Sequence, residues 1–180
     1  MTLYVVRHGE TEWNANNRIL GRTDIPLNET GRKQANEAAL KAQDLPVDVI
    51  LSSPLKRTIE TATAIAGIKG LPVTAEPALI ECDFGDYEGK DRNEPGYQKK
   101  KREFFRRYPG GESFQDMAAR VYPLIERIKE EYAGKNVMLV THGGVGRIVD
   151  NYFYDRDNEE FADFFMKNCE VREYEVDKTF

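Results

Sequence analysis

Leu3-Tyr4-Val5-Val6-Arg7-His8-Gly9-Glu10-Thr11 is the stretch whose reading decides the fold. An apolar run with no polar alternation leads straight into an arginine, a histidine and a glycine. Such a run reads as a strand buried on both faces, as in a parallel sheet covered by helices. Arg7 and His8 then stand where the strand leaves the sheet, at its carboxyl end, which is where open α/β sheets bind ligands. Gly9, lacking a Cβ, is expected to let a ligand approach the backbone closely.

The same arrangement recurs far along the chain. Val137-Met138-Leu139-Val140-Thr141 is again an apolar strand, and it delivers His142-Gly143-Gly144. These are the only two histidines in the chain. Two histidines, each following a buried-type strand and each preceding glycine, point to chemistry rather than packing. Imidazole is the side chain best suited to nucleophilic or acid–base work near neutral pH.

Between and beyond these strands the pattern alternates. Val47 to Leu51 and Pro72 to Ala75 read as short strands, and Val171 to Val176 alternates like an edge strand. Thr30 is placed to cap a helix beginning near Gly31, with Ala35, Ala38, Ala39 and Ala42 on one face. Ser53 and Pro54 read as the N-cap and first position of another helix, with Ile59, Ala62, Ile65 and Ala66 buried. Arg57 falls in its first turn, where a helix N-terminus and a guanidinium fork together favour phosphate. Ser113 and Asp116 open a third helix through Met117, Val121, Leu124, Ile125 and Ile128. Pro123 within it predicts a kink or a later start. Asp155 to Glu160 reads as an acidic connection. No repeat, linker or low-complexity tract divides the chain, so residues 1–180 are read as one domain.

Composition narrows the function. Lysine and arginine number 26 against 31 aspartates and glutamates, a net charge of −5. No global basic field recruits nucleic acid or an anionic membrane, so an anion site must be built locally. Cys82 and Cys169 have neither metal-ligand spacing nor a disulfide framework, and are read as reduced thiols of a cytoplasmic protein. No segment has the length and apolarity of a signal peptide or a membrane span. His8, His142 and Glu81 lack the spacing of a helical zinc site, and the neighbouring arginines would repel a cation, so no metal is expected.

Residues 79 to 89, Leu79-Ile80-Glu81-Cys82-Asp83-Phe84-Gly85-Asp86-Tyr87-Glu88-Gly89, read as an acidic loop. The charged stretch 90 to 108 reads either as a solvated helix with a small apolar face or as a mobile cap that lends positive charge to an anionic substrate. On the second reading Lys99, Lys101 or Arg106 contributes to substrate affinity.

Taken together, Arg7-His8-Gly9-Glu10-Thr11, Asn14, Ser53-Pro54 with Arg57, Glu81 and Thr141-His142-Gly143 resemble the histidine phosphatase superfamily, which includes the phosphoglycerate mutases. The resemblance runs from residue 2 to about residue 150. It implies a three-layer α/β/α sandwich with a mostly parallel sheet and one antiparallel edge strand, which the alternation of strands and helices supports independently. It further implies a short cap insertion around residues 83–113. By the same resemblance His8 would be the nucleophile and Glu81 the acid and base, with Arg7, Arg57 and His142 holding the phosphoryl oxygens. Asn14, Thr11, Gly21 and Gly143 would meet the substrate. Phosphoryl transfer asks the protein mainly for positioning and fixed positive charge, which arginines supply without a metal or cofactor.

Within that family the residue after the acid separates two branches. The mutases carry a substrate-binding arginine there, whereas this chain has Cys82 followed by Asp83. The expected activity is therefore a metal-independent phosphomonoesterase acting on a small soluble phosphate ester through a phosphohistidine. The alternatives are a cofactor-dependent phosphoglycerate mutase and a non-catalytic phospho-ligand binding protein. Retention of His8, Arg57, Glu81 and His142 weighs against the last.

Overall fold

The computed structural model describes residues 1–176, so the last four positions of the 1–180 domain assignment lie outside the described residues. In chain order the elements are β1 (Thr2–Arg7), α1 (Glu12–Ala15), α2 (Glu29–Ala42), β2 (Val49–Ser52), α3 (Lys56–Lys69) and β3 (Val73–Ala75). There follow α4 (Pro95–Lys100), α5 (Phe114–Glu131), β4 (Val137–Thr141), α6 (Gly143–Phe153), α7 (Asn158–Asp163) and β5 (Val171–Glu175). The strands form one sheet in the order β3-β2-β4-β1-β5. All neighbours run parallel except β5, which pairs antiparallel with β1 at the edge.

The sheet is buried on both sides, which is why its central strands read as unbroken apolar runs. Leu3, Val5, Leu51, Val137 and Leu139 face Leu124, Ile125 and Ile128 of α5 and Val145, Ile148 and Val149 of α6. Tyr4, Val6, Ile50, Met138 and Val140 face Ala39 and Ala42 of α2 and Ala62, Ile65 and Ala66 of α3. The result is the three-layer α/β/α sandwich expected. Arg7 lies opposite Thr141 in the β1–β4 ladder, and the His8 N–H donates to the Thr141 carbonyl at 3.0 Å. His8 and His142 therefore leave the sheet side by side, while β2, on the other flank of β4, leads into Ser53 and α3.

Several local expectations are corrected. α2 begins at Glu29, capped by Asn28, whose side-chain oxygen accepts from the Gly31 N–H at 2.7 Å; Thr30 lies inside the first turn. α3 begins at Lys56 behind Leu55, with no side-chain cap, because the Ser53 hydroxyl is engaged with His142 instead. Pro123 lies within α5 without interrupting it. The acidic 155–160 connection includes the start of α7, where Asp157 accepts from the N–H groups of Glu159 and Glu160 and closes a capping box.

What Gly9 approaches is a neighbouring backbone rather than a ligand. A Cβ on Gly9 would lie 2.5 Å from the Gly31 carbonyl oxygen, and one on Gly31 2.0 Å from that of Glu10. This pair of glycines lets the loop after β1 lie flush on the start of α2.

Candidate active site

His8 is buried, and its Nδ1 lies 2.7 Å from its neighbour's carbonyl, Gly9 O. A carbonyl only accepts, so Nδ1 carries the proton and the lone pair of the neutral ring is on Nε2. Burial, then the charges of Arg57 and Arg7, push the His8 pKa well below 6.5. The imidazole is neutral at physiological pH, and its Nε2 keeps an uncommitted lone pair in a residue that lines a cavity.

Two buried guanidiniums stand near it. Arg57 is fully buried in the first turn of α3 and donates through Nη2 to Gly21 O at 2.6 Å and Nη1 to Thr23 O at 2.9 Å. Arg7 donates from Nη1 to Met166 O at 2.5 Å. Neither forms an ion pair with a carboxylate of the described residues, and burial first of all lowers each to about 10, leaving both cationic. Arg7 Nε, Arg57 Nε and His142 Nδ1 are all buried without a partner. Buried donors and buried unpaired cations are expensive. Arg57 and Arg7 are near enough for their charges to act on His8, so unspent cationic donors stand beside one neutral imidazole, an arrangement suited to an anion.

His142 stands edge-on to His8, ring centroids 5.2 Å apart. Its Nε2 is 2.8 Å from Ser53 Oγ, so the end of β2 orients the imidazole delivered by β4. Burial, followed by Arg57 and His8, also holds its pKa well below 6.5.

Glu81 completes the group. Its Oε2 accepts from the Gly144 N–H at the start of α6 at 3.0 Å and its Oε1 from the Cys82 N–H at 2.9 Å. Its own carbonyl accepts from Arg120 of α5 and Arg22, which fixes the backbone beneath the carboxylate. A Cβ on Gly144 would come 2.3 Å from Oε1, so this glycine leaves room for the acid.

The cavity in front of His8 measures about 400 Å³, within the range of small-molecule sites. Of the residues expected in the site, Arg7, His8, Asn14, Glu81 and Gly143 line it. Arg57 and His142 lie behind this wall, fully buried. Asn14 uses Oδ1 to accept from the Thr11 N–H, which leaves its amide nitrogen as the group for a ligand. Thr11 and Gly21 do not line the cavity. Thr11 is buried as the cap of α1, and Gly21 holds Arg57 through its carbonyl while sitting tight against Cys82 O.

The 83–113 segment is mostly turns around the short α4, seated on an aromatic cluster of Phe84, Tyr87, Tyr97 and Tyr108. Of its cations Lys101 lines the cavity; Lys99 is exposed and Arg106, also exposed, pairs with Glu103 at 3.4 Å. Sequence reasoning missed Arg92, Gln98 and Arg147 in the cavity wall. Arg147 could have been found, because it lies one helical turn after Gly143 and so shares its face. Arg92 follows a turn and carries no periodic signal. Among the described residues no group of three or more His, Cys, Asp and Glu could hold a metal ion, and no helix is long and apolar enough to cross a membrane.

A doubly covered parallel sheet whose carboxyl end presents a neutral histidine, buried arginines and a carboxylate is suited to holding a phosphoryl group. The comparisons agree: the chain belongs to the histidine phosphatase superfamily, branch 1, whose family model matches residues 3–179. A Bacillus subtilis protein named uncharacterized phosphatase PhoE is 37% identical over 139 residues, 77% of this chain and 70% of that protein. A Salmonella choleraesuis protein named probable phosphoglycerate mutase GpmB is 37% identical over 150 residues, 79% of this chain and 70% of that protein. The solved mycobacterial glucosyl-3-phosphoglycerate phosphatase Rv2419c, complexed with VO3, superposes with a TM-score of 0.87 at 29% identity, covering 96% of this chain and 90% of that one.

Proposed function

We propose that this chain is a metal-independent phosphomonoesterase that cleaves a small soluble phosphate ester in the cytoplasm. The whole chain would act as one catalytic unit, with residues 83–113 as its cap. The observation that carries the reading is His8. It is held neutral with its Nδ1 proton committed to Gly9 O, beside buried arginines that have no carboxylate ion-pair partner among the described residues.

In the first step His8 Nε2 attacks phosphorus. The N–P bond forms as the ester P–O bond breaks, and Glu81 gives its proton to the departing alkoxide. The Nδ1–H···O=C bond to Gly9 stabilises the positive charge the ring acquires. The equatorial oxygens take the donors left over at Arg7 Nε, Arg57 Nε and, with Ser53 donating to Nε2, His142 Nδ1. Fixed donors aimed at developing charge are the main lever in such a reaction. In the second step water attacks the phosphohistidine, Glu81 accepts its proton, the N–P bond breaks and inorganic phosphate leaves. The arginines supply the charge that a metal would otherwise bring.

Hydrolysis is favoured over mutase chemistry by Cys82. The side chain that follows the acid is fully buried in the core on the α5–α6 side of the sheet and does not line the cavity, so this position offers the substrate no cation. The test is hydrolysis of a generic aryl phosphate in excess chelator, with His8→Ala beside the intact protein. Activity is expected to survive the chelator and to fall by at least about a thousandfold in the variant. Hydrolysis unchanged in His8→Ala overturns the proposal.

A further inference from the structure

Residues 80–84, which carry Glu81, belong to no helix or strand. A group that must meet a leaving oxygen cannot be left on a free loop, because small misplacements are costly in rate. Something else therefore holds this backbone. Arg120 of α5 donates from Nη1 to Ala78 O at 2.5 Å and from Nη2 to Glu81 O at 3.3 Å. Arg22 donates from Nε to the same Glu81 carbonyl at 3.5 Å.

Two guanidiniums converging on one carbonyl repel each other. Glu112 is the carboxylate they share. Its Oε1 lies 2.8 Å from Arg22 Nη2 and accepts from Arg120 Nε at 3.3 Å, and its Oε2 accepts from Arg120 Nη2 at 3.2 Å. Oε2 also accepts from the Asp83 N–H at 3.1 Å, while the Glu112 N–H donates to Asp83 O at 2.9 Å. Glu112 thus closes the neck of the 83–113 segment two residues beyond the acid. The neck is tight: a Cβ on Gly111 would lie 2.2 Å from Asp83 O. The other carboxylate near Arg22, that of Asp83, is 3.8 Å away. Glu112, Arg22 and Arg120 do not line the cavity.

We infer that Glu112 is a positioning residue for Glu81: its carboxylate holds Arg22 and Arg120 together on the Glu81 carbonyl and so sets where the proton is given. The inference rests on the phosphatase reading, with Glu81 as its acid. Without the Glu112 carboxylate the two arginines lose the charge that lets them share an acceptor, and the Asp83 N–H loses its partner. The backbone of Glu81 is then free to shift. The hydrogen bonds of His8, Arg7 and Arg57 involve none of these residues.

The test reads proton donation through the leaving group. 4-Nitrophenyl phosphate and phenyl phosphate have similar shapes, but phenolate leaves less readily and needs the acid more. The ratio of their kcat/KM values reports the step in which the ester bond breaks. Glu112→Ala is expected to raise the ratio, nitrophenyl over phenyl, by at least about fivefold. Glu112→Gln, which keeps one acceptor oxygen, and Arg22→Met, at an exposed position, should raise it less. The ratio is taken within each variant, so a loss of folded protein cancels. Glu81→Gln should raise the ratio on its own, and adding Glu112→Ala to it should raise it no further. A ratio unchanged in all three single variants at Glu112 and Arg22, or one that climbs again in the Glu81→Gln background, overturns the positioning role. If Glu81→Gln raises the ratio while those variants leave it alone, only that role falls and the phosphatase reading stands. If Glu81→Gln leaves it alone too, Glu81 is not the acid and both fall together.

Discussion

His8 and His142 are buried as neutral imidazoles, and this has a thermodynamic consequence as well as a catalytic one. Their folded pKa values lie well below 6.5, whereas in the unfolded chain each takes up a proton near 6.5. The unfolded state therefore binds more protons as pH falls below that value. The stability these residues contribute is present above about pH 6.5 and drains away beneath it. One pH unit below the unfolded value the loss is about 1.4 kcal/mol for each ring. Urea midpoints should fall between pH 7.5 and 5.5, and the fall should be smaller in a His8→Asn, His142→Asn double variant; equal falls would contradict the burial argument. Gly144 provides a sharper test of geometry. A methyl group there meets Glu81 Oε1 at 2.3 Å, and the carboxylate must move while the fold need not. On the role proposed for Glu81, Gly144→Ala is expected to lower kcat for an alkyl phosphate by at least about tenfold, because a misplaced proton donor forfeits much of general acid catalysis. An aryl phosphate, whose leaving group needs less protonation, should suffer less in the phosphorylation step, which single-turnover labelling of His8 would read.

At the scale of elements, Asp150 ties α6 to the edge strand and to the turn after α6. Its carboxylate is buried; it accepts from Tyr174 OH and Arg156 Nε, both at 3.0 Å, with Arg172 at 3.6 Å. Asp150→Ala leaves the buried Tyr174 hydroxyl unanswered and takes one carboxylate from each arginine, Arg172 keeping Glu170 at 2.8 Å and Arg156 keeping Glu160 at 3.9 Å, and should cost about 2–4 kcal/mol. That is a Tm lower by roughly 5–15 °C for a chain of this size. Asp150→Asn, which keeps an acceptor for Tyr174, should lie between. The elements themselves were legible where periodicity is strong. The buried runs 3–6 and 137–141 announced the paired central strands, and the two His-Gly steps marked the mouth of the site. Legibility failed where a polar side chain had two employments. Ser53 looks like a helix cap but is spent on His142, and Thr11 and Gly21 look like substrate contacts but are spent on a cap and on holding Arg57. Pro123 predicted a break because local propensity was read without the packing of Val121, Leu124, Ile125 and Ile128, which holds α5 together across it. Arg92 was missed because the far wall is assembled by tertiary contacts between the 83–113 segment, α6 and residues 162–166, whereas Arg147 was within reach of the helical spacing from Gly143.

The whole molecule carries a net charge of −5, yet the cavity is lined by Arg7, Arg92, Lys101 and Arg147 against Glu81 and Asp163. An anionic ester is repelled at long range and drawn in only near the mouth, where the cavity walls focus the local positive field. Salt acts unequally on the two cationic groups. Arg57 is fully buried and Arg7 nearly so, and buried pairs are screened little. Arg92 and Lys101 are half-buried at the cavity wall, where mobile ions reach them. Raising NaCl from about 20 to about 500 mM shortens the Debye length severalfold and should weaken capture while leaving the bound transition state alone. The expected outcome is a KM for a phosphate ester that rises severalfold with kcat nearly constant, measured in phosphate-free buffer. A kcat that falls in step with salt would instead mean that the ions reach the buried arginines themselves. The burial of Arg57 behind His8 could not then be what shields the chemistry.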